Sequence, residues 1–311
     1  MRHDGPGDKS PDLRMFYKNI FLYEEKFKVT PEELSNLFPN KKIYICDFYL
    51  EGAEKGKRIQ GGFEYQGIVC IDHHFPIPEM EKYISSTNLA AEYVDKFGIV
   101  PKNSVVIIHH TDTDSILSSA ILTGILRPEQ KFVDAAIAAD HTGEPNEIAD
   151  LLQYLQRKKD IKLSFKNLLA FLEDAELDDE AKILLQERLG DRALAKKLVK
   201  EGKVKTIGHT ALLIMNKKFD SALMPALLPN AKVILVARPH DTDKNRWIIK
   251  VRLGLKVPKG MTLKNIMKGL DPNYGGRWNA GNNQREGHGT NLNPEQYAKM
   301  INRSIDKLIN L

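Results

Sequence analysis

The feature that most constrains the fold of this chain is a pattern that recurs four times: a short apolar run that ends at an aspartate or a histidine. Three of the runs are rich in β-branched residues, as buried parallel strands are. The segments between the runs have the helical or loop-like composition that βα repeats require. We therefore expect an α/β fold with a doubly wound parallel sheet, which would bring the ends of all four runs onto one edge. The fourth run is rich in alanine and is also compatible with the end of a helix. The runs are residues 43–46, 68–71, 105–108 and 132–139.

The residues at the ends of these runs have side chains that bind divalent metal ions. Carboxylates that lie close together repel one another unless a cation neutralises them. Oxygen ligands combined with imidazole suit manganese, magnesium or cobalt, and a pair of such ions can activate water for attack on a phosphoryl group. Asp72 directly precedes His73 and is placed to accept a ring N–H and fix the tautomer of a ligating histidine. A polar turn with helix-capping aspartates is the alternative at any one end. The candidate residues are Asp47, Asp72, His73, His74, His109, His110, Asp112, Asp114 and Asp140.

The glycine-rich segment 273–290 is a second candidate site. Glycines let a backbone approach a ligand without a Cβ, arginines offer a planar, permanent charge for phosphate, and backbone N–H groups of such loops can bind anions. Trp278 could stack on a base, although a loop tryptophan more often packs against its own domain. A flexible surface loop is the alternative for the whole segment. The candidate substrate-binding residues are Gly275, Gly276, Arg277, Asn279, Gly281, Asn283 and Arg285.

The chain length and the change in composition along it predict two domains. Residues 1–11 have the composition of a disordered lead-in. Residues 12–200 are expected to form the metal-binding domain, and its last part, about 146–203, is a highly charged helical connector. Residues 205–311 are expected to form a smaller mixed α/β domain, with the active site in the cleft between the two domains.

Several shorter elements are also predicted. Residues 12–40 have a helical composition, and a capping box with Pro31 at the first helical position places a helix start at Thr30. A helix is expected over 85–98 because its spacing is helical and it closes at a glycine. In the second domain we expect three strands within 210–254, a helix over 263–270 and a C-terminal helix.

Composition limits the class of protein. Hydrophobic residues make up 42% and charged residues 28% of the chain, and the formal net charge is +5, a mild excess that permits a phosphorylated or polyanionic partner. No apolar run reaches the roughly 18 residues that a membrane-spanning helix needs. The two cysteines, Cys46 and Cys70, lie inside apolar runs, so a disulfide framework is not expected and a reducing cytoplasm fits best.

Together these motifs resemble the DHH phosphoesterase superfamily, which includes single-strand exonucleases, oligonucleotide and cyclic-dinucleotide phosphodiesterases, family II pyrophosphatases and exopolyphosphatases. The Asp-His-His motif is present as residues 72–74, and the His-x-Asp-x-Asp motif as residues 110–114. The segment GGRWNAG, residues 275–281, is similar to the glycine loop of the associated C-terminal domain, although it has Arg-Trp-Asn where many relatives carry Gly-His-Pro. The His-x-Asp-x-Asp motif follows Asp-His-His here, whereas it usually comes first in the family, so the order is that of a circular permutation.

The resemblance implies specific roles. It places His110, Asp112 and Asp47 on one metal ion. It places Asp114, His73, Asp140 and a bridging Asp47 on the other. His74 would contact the substrate phosphate, and Asp112 would also orient the attacking water. The two ions implied are Mn²⁺, with Mg²⁺ or Co²⁺ as alternatives.

We therefore expect a metal-dependent phosphoesterase that acts on a short oligonucleotide or a cyclic dinucleotide. A manganese-dependent pyrophosphatase or exopolyphosphatase is the first alternative, and a non-catalytic nucleotide- or nucleic-acid-binding protein is the second. The expected partners are a phosphorylated small molecule or a short nucleic acid and no membrane, and a homodimer is compatible with the sequence.

Overall fold

The computed structural model describes residues 15–24, 28–74, 83–258, 260–284 and 288–309, and these residues form two compact units. The first unit runs to Ile137 and resumes over Asn146–Gln186; the second comprises Ala138–Pro145 and the chain from Glu187 onward. The division differs from the expected boundary near residue 200, because the segment with Asp140 and the second part of the last connector helix group with the C-terminal unit. The expected lead-in, residues 1–11, lies outside the described residues.

The first unit contains a seven-stranded mixed sheet with the order β1-β2-β7-β3-β6-β5-β4. Strands β2, β7, β3 and β6 are parallel neighbours, whereas β1, β5 and β4 pair antiparallel at the two sides. The expected parallel sheet is therefore present in these four strands, and antiparallel strands, which were not predicted, extend it at both sides. The strands are β1 (Phe16–Tyr17), β2 (Ile20–Leu22), β3 (Lys42–Cys46), β4 (Lys57–Ile59), β5 (Gly62–Tyr65), β6 (Ile68–Ile71) and β7 (Ser104–Ile108).

A two-residue turn explains one antiparallel pairing. Gln66 and Gly67 join β5 to β6 with φ of 48° and 80°, the left-handed conformation that tight hairpins require at both central residues. A connection of two residues can join antiparallel strands, whereas a parallel pair needs a crossover of a dozen or more residues. The turn therefore forces β5 to run against β6.

Three of the four predicted strand runs are confirmed, and the fourth is helical. Residues Gln130–Ile137 form α4, and Ala138–Thr142 continue as one π-helical turn. Alanine is the best helix former, and Phe132, Val133 and Ala136 recur at the spacing that buries one helical face. The helix end, which the alanine content also allowed, is the correct interpretation.

The prediction of a helix over residues 12–40 was largely wrong. Aromatic and β-branched residues near its start form β1 and β2, as their preference for strands explains. Among the described residues of this range, the α-helix is limited to α1 (Pro31–Leu37). The predicted cap at its start is confirmed, because Glu33 N–H donates to Thr30 Oγ1 at 3.2 Å and Thr30 N–H donates to Glu33 Oε2 at 2.9 Å.

Helices complete the first unit. The sheet and the N-terminal helix share a core cluster that includes Leu34, Ile45, Cys70 and Ile107. All ten residues of α3 (Thr113–Leu122) are buried, and the hydroxyls of Ser118 and Ser119 donate to backbone carbonyls of the same helix, as buried polar groups require. The predicted helical connector is confirmed. The remaining helices are α2 (Ser86–Phe97), α3 (Thr113–Leu122), α5 (Glu147–Leu155), α6 (Ile161–Leu172) and α7 (Asp179–Lys200), whose last part belongs to the second unit.

The described residues of the second unit form a six-stranded sheet with the order β12-β13-β11-β10-β9-β8. Among these strands, β9 and β10 pair parallel and the other neighbours pair antiparallel. Side chains from α8 and α9 pack on one face, and Ala195 of α7 joins the apolar cluster on the other. Helix α8 is shorter than the predicted 263–270. The elements are β8 (Val204–Ile207), β9 (Thr210–Ile214), β10 (Val233–Pro239), β11 (Trp247–Leu253), α8 (Leu263–Ile266), β12 (Gly275–Gly276), β13 (Ala280–Asn282) and α9 (Pro294–Ile309). Within the described part of the chain, no helix has both the length and the apolar character needed to cross a membrane.

Candidate functional site

Three of the predicted metal ligands, Asp47, His73 and Asp114, lie together in the first unit. His73 Nε2 is 3.3 Å from Asp47 Oδ1 and 3.4 Å from Asp114 Oδ2, and all three side chains are buried. Asp47 directly follows β3, His73 follows β6 after one residue, and Asp114 lies in the first turn of the helix after β7. Because β7, β3 and β6 are parallel neighbours, pairing of the strands brings the three side chains to one sheet edge.

Asp47 has an unusual backbone and a costly environment. Its φ of 60° is left-handed, a conformation that non-glycine residues seldom adopt and that concentrates at functional sites. The hydroxyls of Ser86 and Ser115 donate to its two carboxylate oxygens at 3.2 and 2.8 Å. Burial, together with the nearby carboxylates of Asp114 and Asp112, raises the pKa of Asp47 well above its usual value, against a smaller opposing effect of His73. A cation bound here would remove that repulsion.

Asp114 is held by the N-terminus of α2. Its Oδ2 accepts the Ser86 N–H at 2.7 Å, and its Oδ1 accepts both the Thr87 N–H at 2.7 Å and the Thr87 hydroxyl at 2.6 Å. Helix N-termini stabilise negative charge, and several N–H donors favour the ionised form of a carboxylate. Asp114 is therefore held in a fixed orientation beside Asp47 and His73.

The spacing and the chemistry of these three residues fit a divalent cation. Two donor atoms that each lie about 2.1 Å from one ion are themselves roughly 3.0–3.5 Å apart, which matches the separations from His73 Nε2 to the two carboxylate oxygens. Two carboxylates and one imidazole, without a thiolate, suit magnesium, manganese or cobalt. His74 offers a further ligand atom within 4.8 Å of those of Asp47 and His73.

Asp72 orients His74 rather than His73, the neighbour that was expected. The ring Nδ1 of His74 lies 2.6 Å from Asp72 Oδ1, and the same oxygen accepts the His74 backbone N–H at 3.1 Å. Burial alone would raise the pKa of Asp72, but the charge and hydrogen bonds of His74, with the charge of His73, lower it. An ionised Asp72 accepts a hydrogen bond from the N–H at Nδ1 of His74. Nε2 of His74 is then the ring nitrogen that can exchange a proton.

The other members of the predicted first metal site are placed less closely. Within the described ranges, neither His110 nor Asp112 belongs to a group of three possible ligands within 4.8 Å. His110 is exposed and contacts the ring of His109, whose Nδ1 lies 2.6 Å from the Tyr23 carbonyl oxygen. Asp112 caps α3, because its Oδ1 accepts the Ser115 N–H at 3.0 Å. The ligand roles of His110 and Asp112 stay predictions.

Asp140 belongs to the second unit, on the π-helical turn, and its described ionic partner there is Arg277. The Nη1 of Arg277 lies 2.8 Å from Asp140 Oδ2. The backbone carbonyl of Asp140 accepts a hydrogen bond from Arg252 Nη1 at 3.1 Å. Arg277, which was predicted to bind substrate, thus forms an ion pair with Asp140, which was predicted to bind metal.

The glycine segment forms the hairpin of β12 and β13, and local packing explains two of its glycines. A Cβ on Gly276 would lie 2.3 Å from the Gly281 Cα, and a Cβ on Gly281 would lie 2.3 Å from the hydroxyl of Tyr274. Both glycines are therefore required by the hairpin itself, whether or not a ligand approaches it. Gly275 pairs with Asn282 across the hairpin.

The asparagines of the segment are held by their own unit. Asn283 is fully buried, and its Oδ1 accepts the Ile249 N–H at 2.8 Å. Asn279 Nδ2 lies 3.0 Å from His141 Nδ1. Trp278 packs against the core of the unit and against the His141 ring at 5.5 Å. Arg285 lies outside the described residues.

Sequence reasoning missed the residues that hold the predicted ligands. The Ser-Ser-Thr stretch 85–87 was recognised as part of a helix but not as the set of donors to Asp114 and Asp47. Arg252 was read only as part of a strand. No local pattern identifies either contact, since each joins segments that are distant in the sequence.

Solved structures, but no family model, show similarity to this chain. No protein-family model matches the chain, and no curated protein matches its sequence. The solved structure of PggH, a pGpG-specific phosphodiesterase from Vibrio cholerae, is similar with a TM-score of 0.44 and 14% identity, over 70% of this chain and 88% of that chain. An uncharacterized protein from Helicobacter pylori G27 has a TM-score of 0.23 and 9% identity, over 86% of this chain and 99% of that chain. These values are too low to transfer a substrate or a residue's role to this chain.

Proposed function

We propose that this protein is a metal-dependent phosphoesterase that hydrolyses a phosphodiester or phosphomonoester of a nucleotide-type substrate, such as a short oligonucleotide or a cyclic dinucleotide. The observation that carries the proposal is the buried contact of His73 Nε2 with carboxylate oxygens of Asp47 and Asp114. Buried acidic groups held together in this way are unfavourable unless a cation joins them.

Asp47, His73 and Asp114 would hold a divalent ion, and Asp140 is proposed as a further ligand. His110 and Asp112 would complete a second position with Asp47. When bound, such ions lower the pKa of a water molecule and neutralise charge on phosphoryl oxygens. The hydroxyls of Ser86 and Ser115 fix Asp47, so the carboxylate orientation is set before the metal arrives.

His74 and Asp112 are proposed to act on the substrate and the attacking water. Asp72 fixes the ring of His74 through Nδ1, so Nε2 is the atom that donates a hydrogen bond or a proton to a phosphate oxygen. Asp112 is partly exposed and anchored through Oδ1 to the start of α3. Its Oδ2 is then the atom that orients and accepts a proton from water.

A hydrolysis panel on the full-length protein tests the proposal. It compares a short RNA, a short DNA, a cyclic dinucleotide, pyrophosphate, tripolyphosphate and a chromogenic phosphodiester, each with Mn²⁺ and with a chelator. We expect chelator-sensitive cleavage, fastest on a nucleotide substrate. Dominant turnover of pyrophosphate would instead support the pyrophosphatase alternative.

Two variants connect the activity to the site. Asp114→Asn keeps the shape of the side chain but removes its charge, so activity should fall at least about 100-fold. Asp178→Asn removes a carboxylate of the same unit that pairs with Lys166 and should retain activity. Equal activity of the two variants, or cleavage that persists in chelator, contradicts the proposal.

A further inference from the structure

Two cationic residues of β11 lie on the face of the second sheet opposite its main core. Ile249, Val251 and Leu253 alternate along the strand and are buried in the cluster covered by α8 and α9. Because successive strand residues point to opposite faces, Lys250 and Arg252 share the other face. Both are partly buried, although neither was singled out by the sequence.

The partners of these two side chains are neutral. Lys250 Nζ donates to the Phe219 carbonyl oxygen at 3.1 Å. Arg252 donates from Nε to the Ser221 hydroxyl at 3.2 Å and from Nη1 to the Asp140 carbonyl oxygen at 3.1 Å. Among the described residues, no carboxylate forms an ion pair with either side chain, and Arg252 Nη2 has no hydrogen-bond partner.

The nearby carboxylates already have guanidinium partners. Asp220 Oδ2 lies 2.5 Å from Nη1 of the buried Arg188, and Asp140 Oδ2 lies 2.8 Å from Nη1 of Arg277. All four of these groups, two positive and two negative, act electrostatically on Arg252. Lys250 and Arg252 are therefore two positive charges in excess in this part of the described chain.

A partly buried excess of positive charge is unfavourable without a counter-ion. Burial is the main effect that lowers the pKa of both Lys250 and Arg252, against the attraction of Asp220. Neighbouring cations lower the two pKa values further. Arg252 and Arg238 act on Lys250, and Arg277 and Arg188 act on Arg252. Such an arrangement is stabilised by an anion that replaces the missing carboxylate.

We propose that Lys250 and Arg252 form a phosphate-binding subsite in the second unit, in which a phosphate oxyanion contacts the Lys250 ammonium and Arg252 Nη2. The subsite extends the proposed function, because it would hold a phosphate other than the one that is hydrolysed. Arginine presents a planar set of donors that matches phosphate, and lysine supplies a point charge. Asn282 and Ala280 lie opposite Lys250 and Arg252 on β13, and all four residues are partly buried.

Phosphate binding can be measured without hydrolysis on the full-length, metal-free protein in chelator. Calorimetry and thermal unfolding would be carried out with inorganic phosphate and with a dinucleotide on the native chain, Lys250→Met and Arg252→Gln. Lys256→Met is the matched control, since Lys256 is an exposed lysine of the same unit that also has one neutral acceptor, Asn230 Oδ1 at 3.2 Å.

We expect phosphate to raise the Tm of the native chain and of Lys256→Met. The Kd for phosphate should increase roughly tenfold to 100-fold in Lys250→Met and Arg252→Gln, because each loses a charge-assisted contact. Without phosphate, the Tm of Lys250→Met should equal or exceed that of the native chain, since a partly buried excess charge is removed. A purely structural lysine would instead lower the Tm.

Two results would overturn the subsite. One is an unchanged Kd for phosphate in both variants. The other is an equal loss of affinity in Lys256→Met, which would indicate general charge attraction. If Lys250→Met and Arg252→Gln lose affinity for both inorganic phosphate and the dinucleotide, the subsite binds a phosphate of the substrate. If they lose affinity for inorganic phosphate alone, the subsite binds free phosphate. Because these measurements exclude metal, failure of Mn²⁺-dependent hydrolysis would contradict the proposed function and leave the subsite standing.

Discussion

The guanidinium of Arg277 lies 2.8 Å from the carboxylate of Asp140, 137 residues away in the chain. The sequence assigned the first residue to substrate and the second to metal, and the structure joins them within one unit. Asp140 is buried and Arg277 is partly buried. Arg277 therefore neutralises a buried carboxylate of its own unit, in addition to any contact that it makes with substrate.

Removal of this guanidinium should destabilise the second unit. Arg277→Ala removes the guanidinium that contacts the buried carboxylate of Asp140, so the free energy of unfolding should fall by about 1–3 kcal/mol, measured by urea denaturation. Arg246→Ala is the control, since Arg246 pairs with Asp243 at 3.4 Å on the surface, and its loss should be at most about 1 kcal/mol. Equal losses would show that the Arg277 pair has no special role.

Metal affinity should depend on Asp114. Calorimetric titration of the metal-free protein with Mn²⁺ should show a Kd at least about 100-fold higher for Asp114→Asn than for the native chain. Asp178→Asn, at a distant ion pair of the same unit, should leave the Kd unchanged. Native affinity in Asp114→Asn would remove Asp114 from the ligand set.

Asp47 should make the metal-free protein less stable as pH rises. Its folded-state pKa is raised, so the folded chain holds a proton that the unfolded chain releases at about pH 3.9. Stability is therefore lost as pH increases from that value through the folded-state pKa. At about pH 7.5, well above the unfolded-state pKa of an aspartate, and in the presence of a chelator, Asp47→Asn should have a higher Tm than the native chain. Addition of Mn²⁺ should raise the Tm of the native chain only. A lower Tm of the variant in chelator would contradict this prediction.

His74 should affect the rate of hydrolysis more than metal binding. His74→Ala removes the proposed proton donor, so kcat should fall roughly 100-fold, while the Kd for Mn²⁺ should change much less. His209→Ala is the control, because His209 is a partly exposed histidine of the second unit that pairs with Asp306. Equal effects of His74→Ala on kcat and on Mn²⁺ affinity would indicate that His74 is a metal ligand.

Local signals predicted much of the secondary structure. The capping box at Thr30, the helix that closes at Gly98 and the strand runs before Asp47, Asp72 and His109 follow from patterns a few residues long. The alanine-rich run before Asp140 could be a strand or a helix because alanine content and apolarity favour different structures there. The residues before Thr30 that form β1 and β2 were predicted as helix because aromatic residues in short strands also fit a helical pattern.

Which residue types follow the buried strands, and therefore which chemistry is available, can be read from the sequence without the structure. Those features depend on propensity and periodicity, which act over a few residues. Three contacts became evident only in the folded chain: Asp114 accepts hydrogen bonds from the start of α2, Asp72 holds His74, and Lys250 and Arg252 have neutral hydrogen-bond partners. These contacts depend on strand order, on register and on chain closure over tens of residues. They are selected by the packing of the whole unit, because no single segment contains both partners of such a contact.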